Sequence, residues 1–451
     1  MKNNVQNKKR IIIVGAGPAG LFAAYVLSEF FNVTIIEEKS FIGGAGLHSD
    51  GKLNFHPKIG GNLTDFVPYV DAWNIINFIE KKFIEFGAEP GKYDEKKMRE
   101  LEIKAIKHGI KFIPIKQSHI GSDYLPRIIS NFKKVLEKRK VKIEYKTRAI
   151  DFRVKEGYVN SIITSKGELK GDYFIIAPGR GGFEWINYLV KKHNLDYYFN
   201  PIDVGVRVEV PNEVFSEIVD DYGLWDPKFH IRTPSYDDFT RTFCTNPAGF
   251  VVREYYSDSI FGVNGHAMKK YTSGNTNFAF LVTIKLTEPL ENTTIYGLRL
   301  AQLTNTLGGG KPLLQRLGDI IRHQRSTWER IKRSYIVPTL KKVTPGDISM
   351  AYPSRIMTDI IEGLEALDKV IPGIFSDSTL IYAPEIKFYA IRIKTDQYLK
   401  STNLKNLYLA GDGVGVSRGI VGAAATGIIA SIGILKNEDI ETKTLFERNG
   451  N

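Results

Sequence analysis

Two acids and a small set of glycines carry chemistry that can be read from residue type and spacing. Gly15-x-Gly17-x-x-Gly20 follows the β-branched run Ile11–Val14, and Glu37 ends the next apolar run, Val33–Ile36. Far along the chain, Asp412 stands in "YLAGDGVGVSRGIVGAAATG" among glycines, alanines and small apolar side chains. The first spacing suits a pyrophosphate. Gly15 permits a tight turn, Gly17 lets the backbone approach the phosphates, and Gly20 lets helix and strand pack closely. A helix starting there aims its free amides at the phosphate charge. Glu37 at a strand end accepts hydrogen bonds from a ribose hydroxyl pair, which suits NAD or FAD and disfavours a 2′-phosphate.

The elements that position these groups follow from the surrounding pattern. "RIIIVGAGPAGLFAAYVLSEFFNVTIIEEK" reads as strand, turn, helix, strand, with Leu21, Ala24, Tyr25 and Leu27 at helical spacing. The continuation "EEKSFIGGAG" adds Glu38, Lys39, Gly43, Gly44 and Gly46, and here the chain resembles flavoproteins of the glutathione-reductase type. That resemblance implies FAD, held by Gly15, Gly17, Pro18, Ala19, Gly20, Glu37 and this second glycine cluster. It also implies a late strand ending in Gly-Asp, and "NLYLAGDG" has that form at Gly411-Asp412. An acid there can bond a ribitol hydroxyl. A helix over roughly 420–435, entered through Gly419, Ile420 and Val421, would direct its amides at the flavin pyrimidine. "DYFIIAPGRGG" resembles the strand ending in Ala-x-Gly of these proteins, at Ala177 and Gly179. Before it the chain gives a helix with the stripe Leu125, Ile128, Ile129, Phe132, Val135, Leu136 and a strand over Val141–Tyr145, which puts adenine near Ala149.

The expected fold class is α/β: a Rossmann-like FAD-binding domain with a parallel sheet and a β-meander, joined to a second, mixed α+β substrate domain. The FAD domain is expected over 1–61, 110–197 and 396–451. A helical insertion occupies 62–109, with Trp73, Ile76, Ile79, Phe83 and Phe86 on one face, and the substrate domain spans 198–395. That second domain opens on alternating strands such as "DVGVRVEV". "LGGGKPLLQRLG" lacks a preceding β-run and a Gly-Lys-Ser/Thr, so it reads as a loop and not as a phosphate cradle. No second GxGxxG follows a strand, so NAD(P)H is expected only as a transient donor docking at the flavin.

Beyond the cofactor motifs, the segments "QRLGDIIRHQRSTWERIKRSYIVPTLKKVTPGDISMAYPSRI" and "STLIYAPEIKFYAIRIK" resemble the uncharacterised bacterial and archaeal FAD-dependent dehydrogenases, usually labelled NAD(P)/FAD-dependent oxidoreductases. The resemblance spans nearly the whole chain and says nothing of the substrate. It nominates side chains near the flavin: His48 and Lys52 after the second glycine cluster, Lys387 and Tyr389 on the approach to the closing strand, and Arg418 beside the late helix. Each has a plainer alternative, from a hydrogen-bonded loop histidine to a surface lysine or a structural ion pair. "PEIKFYAIRIK" alternates, placing Glu385, Lys387 and Tyr389 on one face, either a substrate wall or a domain seam.

Composition narrows the class without deciding it. The 451 residues are 43% hydrophobic and 25% charged, ordinary for a globular protein of two or three domains. The net charge of +12 comes from scattered lysines and arginines without a zinc-finger, RNP or heptad pattern, so nucleic acid is disfavoured as a partner. One cysteine, Cys244, excludes an intramolecular disulfide and a cysteine metal site, fits a cytoplasmic protein, and reads as a small buried hydrophobe. No metal is expected. The apolar stretch 407–435 is broken by Asp412, Arg418 and glycines and makes a poor membrane span. The leading expectation is an FAD-dependent oxidoreductase, moving hydride between flavin and an organic small molecule, with a redox partner protein as the other electron route. Its competitors are a flavoenzyme modifying tRNA or an isoprenoid lipid, and a flavin redox sensor without turnover.

Overall fold

A computed structural model describes residues 8–44, 51–120, 124–257, 259–268, 271–288, 291–442 and 445–446. The chain divides into two compact units, the first of residues 1–91, 118–200 and 390–451, the second of 92–117 and 201–389.

The first unit is built on a five-stranded parallel sheet in the order Leu407–Leu409, Tyr173–Ile176, Arg10–Val14, Asn32–Ile36, Lys142–Glu144. Ile11–Val14, Tyr173–Ile176 and Leu407–Leu409 are continuous buried apolar runs, as parallel strands covered on both faces require, and the edge strand Lys142–Glu144 is not. Pro18–Leu27 is the crossover helix between the first two strands in sequence. Against it lies the helix Gly419–Asn437, where a Cβ on Gly427 would meet the Ala19 carbonyl oxygen at 2.1 Å. Only glycine allows that approach. By length and composition this late helix could cross a membrane, yet 83% of its most apolar window is buried within the fold. Strands Ala149–Lys155, Tyr158–Thr164 and Gly167–Lys170 form the antiparallel meander. The Asn406 amide ties it to the sheet, donating to the Val159 carbonyl (2.8 Å) and the Asp172 carbonyl (3.0 Å).

The segment expected as a separate insertion, 62–109, instead divides between the units. Helix Tyr69–Glu85 buries Ile75, Ile76, Ile79 and Phe83 in the first unit, where Phe83 meets Phe22 and Phe86 stacks on Phe132 at 4.5 Å. Helix Glu95–Ile106 buries Met98, Leu101 and Ala105 in the core of the second, together with Phe112 of the following strand. The stripe read from the sequence, Trp73 to Phe86, thus serves the first core, and the helix that follows it serves the second. Residues 110–117 also belong to the second unit and 390–395 to the first, which moves both expected boundaries.

The second unit carries an eight-stranded sheet, Thr344–Pro345, Leu313–Arg316, Leu380–Lys387, Ile202–Pro211, Asn275–Ile284, Phe239–Asn246, Lys228–Arg232, Lys111–Ile113. All its pairings are antiparallel except that of Leu313–Arg316 with Thr344–Pro345. Ile202–Pro211 alternates in sequence, yet both of its faces are buried. Val204, Val206, Val208 and Val210 enter an apolar core, and Asp203, Arg207 and Glu209 on the other face enter a polar one. The glycine stretch 308–310 follows the end of helix Thr293–Leu307 and leads into a strand, so it is a connection, as expected.

Candidate active site

In the first unit, loops that are distant in sequence meet backbone to backbone. Gly15 N–H donates to the Ile36 carbonyl (2.8 Å), fixing the first turn against the second strand. A Cβ on Gly15 would lie 2.1 Å from the Ala177 oxygen, and one on Gly413 would lie 2.1 Å from the Gly179 oxygen. The three motifs near residues 15, 179 and 412 thus touch through their main chains, at separations no side chain permits. Around them opens a cavity of about 790 Å³ lined by Gly15, Gly17, Pro18, Ala19, Glu37 and Asp412, among others.

Glycine identity at Gly17 distinguishes packing from ligand room. Its backbone is ordinary and extended (φ −79°, ψ −178°), and a Cβ added there would meet none of the described residues within 4 Å. Neither strain nor a neighbour among the described residues explains the glycine, whereas a ligand lying against the turn does. Gly17 also starts helix Pro18–Leu27 without a side-chain cap, which leaves the first-turn amides for an anion. A dinucleotide pyrophosphate fits this cradle.

Glu37 is 9% exposed, and its two oxygens accept from the Ala16 N–H and the Lys39 N–H, each at 2.9 Å. These bonds use two of the roughly four acceptor sites of a carboxylate, leaving capacity for a ribose hydroxyl pair. Asp412 Oδ1 accepts from the Ser417 hydroxyl (2.9 Å) and Oδ2 from the Gly419 N–H (3.1 Å), so it caps the late helix from outside. Burial pushes its carboxyl above the ordinary range, opposed by the Ser417 hydroxyl, Arg180, the Gly419 amide and Arg418.

Of the other expected cofactor residues, Glu38, Lys39, Gly44, Ala149, Ala177, Gly179, Gly411, Gly419 and Ile420 line the same cavity. Gly20, Gly43 and Val421 do not line it; they hold it. Gly20 packs on the Gly15 oxygen (1.9 Å from an added Cβ), Gly43 N–H donates to the Ala16 carbonyl (2.7 Å), and Val421 is buried. Gly46 and His48 lie outside the described residues. Sequence reasoning passed over Thr147, Arg148, Arg180, Glu184 and Trp185, which also line the cavity. For Arg180, Glu184 and Trp185 the signal was present in "APGRGGFEW", around the motif it did use. Trp185 is pinned there by its indole N–H, which donates to the Ile150 carbonyl (2.8 Å).

The nominated catalytic side chains separate. Lys52 and Arg418 belong to the first unit and are partly buried, and neither lines the cavity. Lys387 and Tyr389 belong to the second. Lys387 Nζ lies 3.0 Å from Glu385 and 3.1 Å from Glu254, and the Tyr389 hydroxyl donates to Asp203 at 3.1 Å. Burial works against the Lys387 charge, but the two carboxylates outweigh it and hold its ammonium above the ordinary lysine range. Lys387 is thus a fixed cation rather than a base. Beside it Arg207, with no exposed surface, makes a two-pronged pair with Glu385 (2.7 and 2.5 Å) and donates to the Cys244 carbonyl (2.8 Å) and Asn264 (2.9 Å). Cys244 is partly buried, not fully so, and its part is played by its carbonyl.

Comparison with known proteins agrees with this geometry. Residues 13–51 match the NAD(P)-binding Rossmann-like domain, and residues 201–387 match the domain described as FAD-dependent protein, C-terminal domain-like. Both matches agree with an FAD-dependent protein. Residues 341–440 of the chain also match the family of glucose inhibited division protein A. An uncharacterized protein of Clostridium beijerinckii is 24% identical over 481 residues, covering 96% of this chain and 82% of that protein. The L-amino-acid oxidase of Pseudechis australis is 34% identical over 115 residues, 20% of this chain and 22% of the oxidase. Among solved structures, L-proline dehydrogenase from P. horikoshii is similar over 97% of this chain and 95% of its own, at 13% identity and a TM-score of 0.42.

Proposed function

We propose that this flavoprotein oxidises or reduces an organic small molecule, with the glycine-built cavity of the first unit holding the pyrophosphate and ribose of FAD. The observation that carries this reading is Gly17, an unstrained glycine whose open side faces the cavity beneath an uncapped helix N-terminus. Bound FAD supplies two-electron hydride chemistry, and the chain supplies placement and charge. Glu37 offers its remaining acceptor sites to the adenosine ribose. The first-turn amides of Pro18–Leu27 meet the pyrophosphate, with Arg180 adding positive charge at the same wall. Asp412 accepts from a ribitol hydroxyl while keeping the start of the late helix fixed.

Arg418 and Lys52, in the first unit, remain candidates for orienting an anionic substrate. Lys387 and Tyr389 serve the ion-pair lattice of the second unit, which leaves them a supporting part. The likeness to an L-amino-acid oxidase covers a fifth of the chain, too little to carry an amino-acid substrate.

The test is a visible absorption spectrum of the purified protein, held anaerobic, before and after NADH or NADPH. Flavin absorbance that one nicotinamide bleaches establishes a reductive half-reaction with that donor. Flavin absorbance that persists directs the search to organic substrates or a partner protein as reductant. A colourless protein that cannot be reconstituted with FAD sinks the proposal. Glu37→Ala and Asp412→Ala are each expected to lose FAD on gel filtration, and full retention in both would overturn the assigned contacts.

A further inference from the structure

Although lysines and arginines run the length of the chain, half of its net charge sits in one short segment of the second unit, which corrects the reading of the charge as scattered. Residues 322–342 contain seven lysines and arginines against one acid, Glu329, a net +6 of the total +12. Arg322 is paired with Asp377 and Arg330 with Asp319. Arg325, Lys332, Arg333, Lys341 and Lys342 are all exposed, and none makes an ion pair among the described residues.

The same segment is uncharged in its middle. "SYIVPTL", 334–340, is bracketed by Arg330, Lys332 and Arg333 on one side and by Lys341 and Lys342 on the other. Its inward side chains anchor it. Ile331, Ile336 and Val343 are buried in an apolar cluster with Leu314, Leu380 and Tyr382. The Val337 carbonyl accepts from Asn275 (2.9 Å), the Thr339 hydroxyl accepts from the Val251 N–H (2.9 Å), and Ser334 donates to the Ser378 carbonyl (2.7 Å). What faces outward is apolar: Val337 is 74% exposed, Tyr335 67% and Trp328 46%. Tyr335 shares a 2.8 Å hydrogen bond with the Ser376 hydroxyl, but Trp328 and Val337 present apolar surface to water that no contact within the strap accounts for.

We propose that this strap docks the protein on an anionic membrane surface, with lysines and arginines at the headgroups and Tyr335 and Val337 entering the interfacial layer. Clustered basic residues gain from an anionic leaflet, and tyrosine and tryptophan favour the headgroup level. An RNA strand would also meet the charge and could stack on Trp328 and Tyr335. Val337, the most exposed apolar residue of the set, has no ring to stack, and hydrocarbon is what it gains from. This inference stands apart from the flavin assignment, because no strap residue lines the cavity.

The experiment is co-sedimentation of the FAD-loaded protein with vesicles of phosphatidylcholine alone or with about a third phosphatidylglycerol, at low and high salt. Binding is expected to the anionic vesicles and to weaken with salt. The triple variant K332E/K341E/K342E is expected to bind them at least about tenfold less well while keeping its flavin absorbance. The control K138E/K140E, in the first unit, is expected to bind as the parent does. Y335S/V337S is expected to remove the part of the binding that survives high salt. No binding to anionic vesicles, or equal loss in the triple variant and the control, overturns the proposal. Binding of single-stranded RNA without vesicle binding likewise overturns it and assigns the strap to nucleic acid.

Discussion

The two units solve the burial of polar groups in opposite ways. Around the cavity of the first, the wall is rich in glycine, and Gly17, Gly179, Gly181 and Gly419 have no described residue within 4 Å of an added Cβ. In the second, the polar face of Ile202–Pro211 is filled by side chains that largely satisfy one another, the buried Asn277 Nδ2 being without a partner among the described residues. Arg207 and Glu385 are paired and Lys387 joins them, Arg241 meets Asp203, and Glu209 accepts from Thr339, Tyr382 and Asn275. Buried charges of this kind are tolerable only when fully paired. The difference separates a site from a scaffold: polar capacity left open beside empty space points to a ligand, and polar capacity closed on itself points to fold specificity.

The largest expected effect lies in the closed network. Arg207→Ala leaves Glu385 buried beside Lys387 alone, and should cost roughly 3–5 kcal/mol, measured by urea unfolding. FAD retention below the transition should be unchanged if the lattice is scaffold. A variant of near-parental stability that has lost flavin would erase the distinction between the units.

A smaller effect should divide two glycines of one motif. Gly20→Ala drives a Cβ to 1.9 Å from the Gly15 oxygen, and should cost about 1–3 kcal/mol of stability from overpacking. Gly17→Ala meets no protein atom, so the apoprotein should unfold at the parental urea concentration while FAD affinity falls on the order of tenfold. Equal destabilisation by both would show that the open side of Gly17 is not ligand space.

The smallest effect is a pH dependence shared by both units. Burial, aided by Lys58, lowers the His56 pKa to about 4, and burial with Arg241, Lys111 and Lys228 lowers that of His230 to about 3. Each histidine takes up its proton more readily unfolded, near pH 6.5, than folded. Their contribution is therefore complete above that value and declines as the pH falls towards the folded values. Unfolding midpoints between pH 7 and 4.5 should drop less steeply in His230→Gln than in the parent, and less steeply again with His56→Gln added. An unaltered slope would mean that neither imidazole is buried as described.

The sequence by itself determined the cofactor. Glycine spacing, the β-branched run before it and the acid after it are local requirements of a pyrophosphate and a ribose. Gly15, Gly17, Glu37, Gly411 and Asp412 could therefore be read without knowing their neighbours. The closing helix was legible because its small, apolar composition is a local requirement, whereas the meander was expected only as part of the architecture that the resemblance implies. What the sequence could not determine was which polar groups were already spoken for. Lys387 was nominated for the flavin because nothing local shows Glu254 or Arg207 beside it; those residues lie more than a hundred positions away. The segment 62–109 belongs to two cores, its first helix to one and its second to the other, since amphipathicity records that a face is buried and not against what. Trp185 and Arg180 reach the cavity because Gly15 can close on Ala177 and Gly413 on Gly179. Those contacts span the chain, and only tertiary structure decides them.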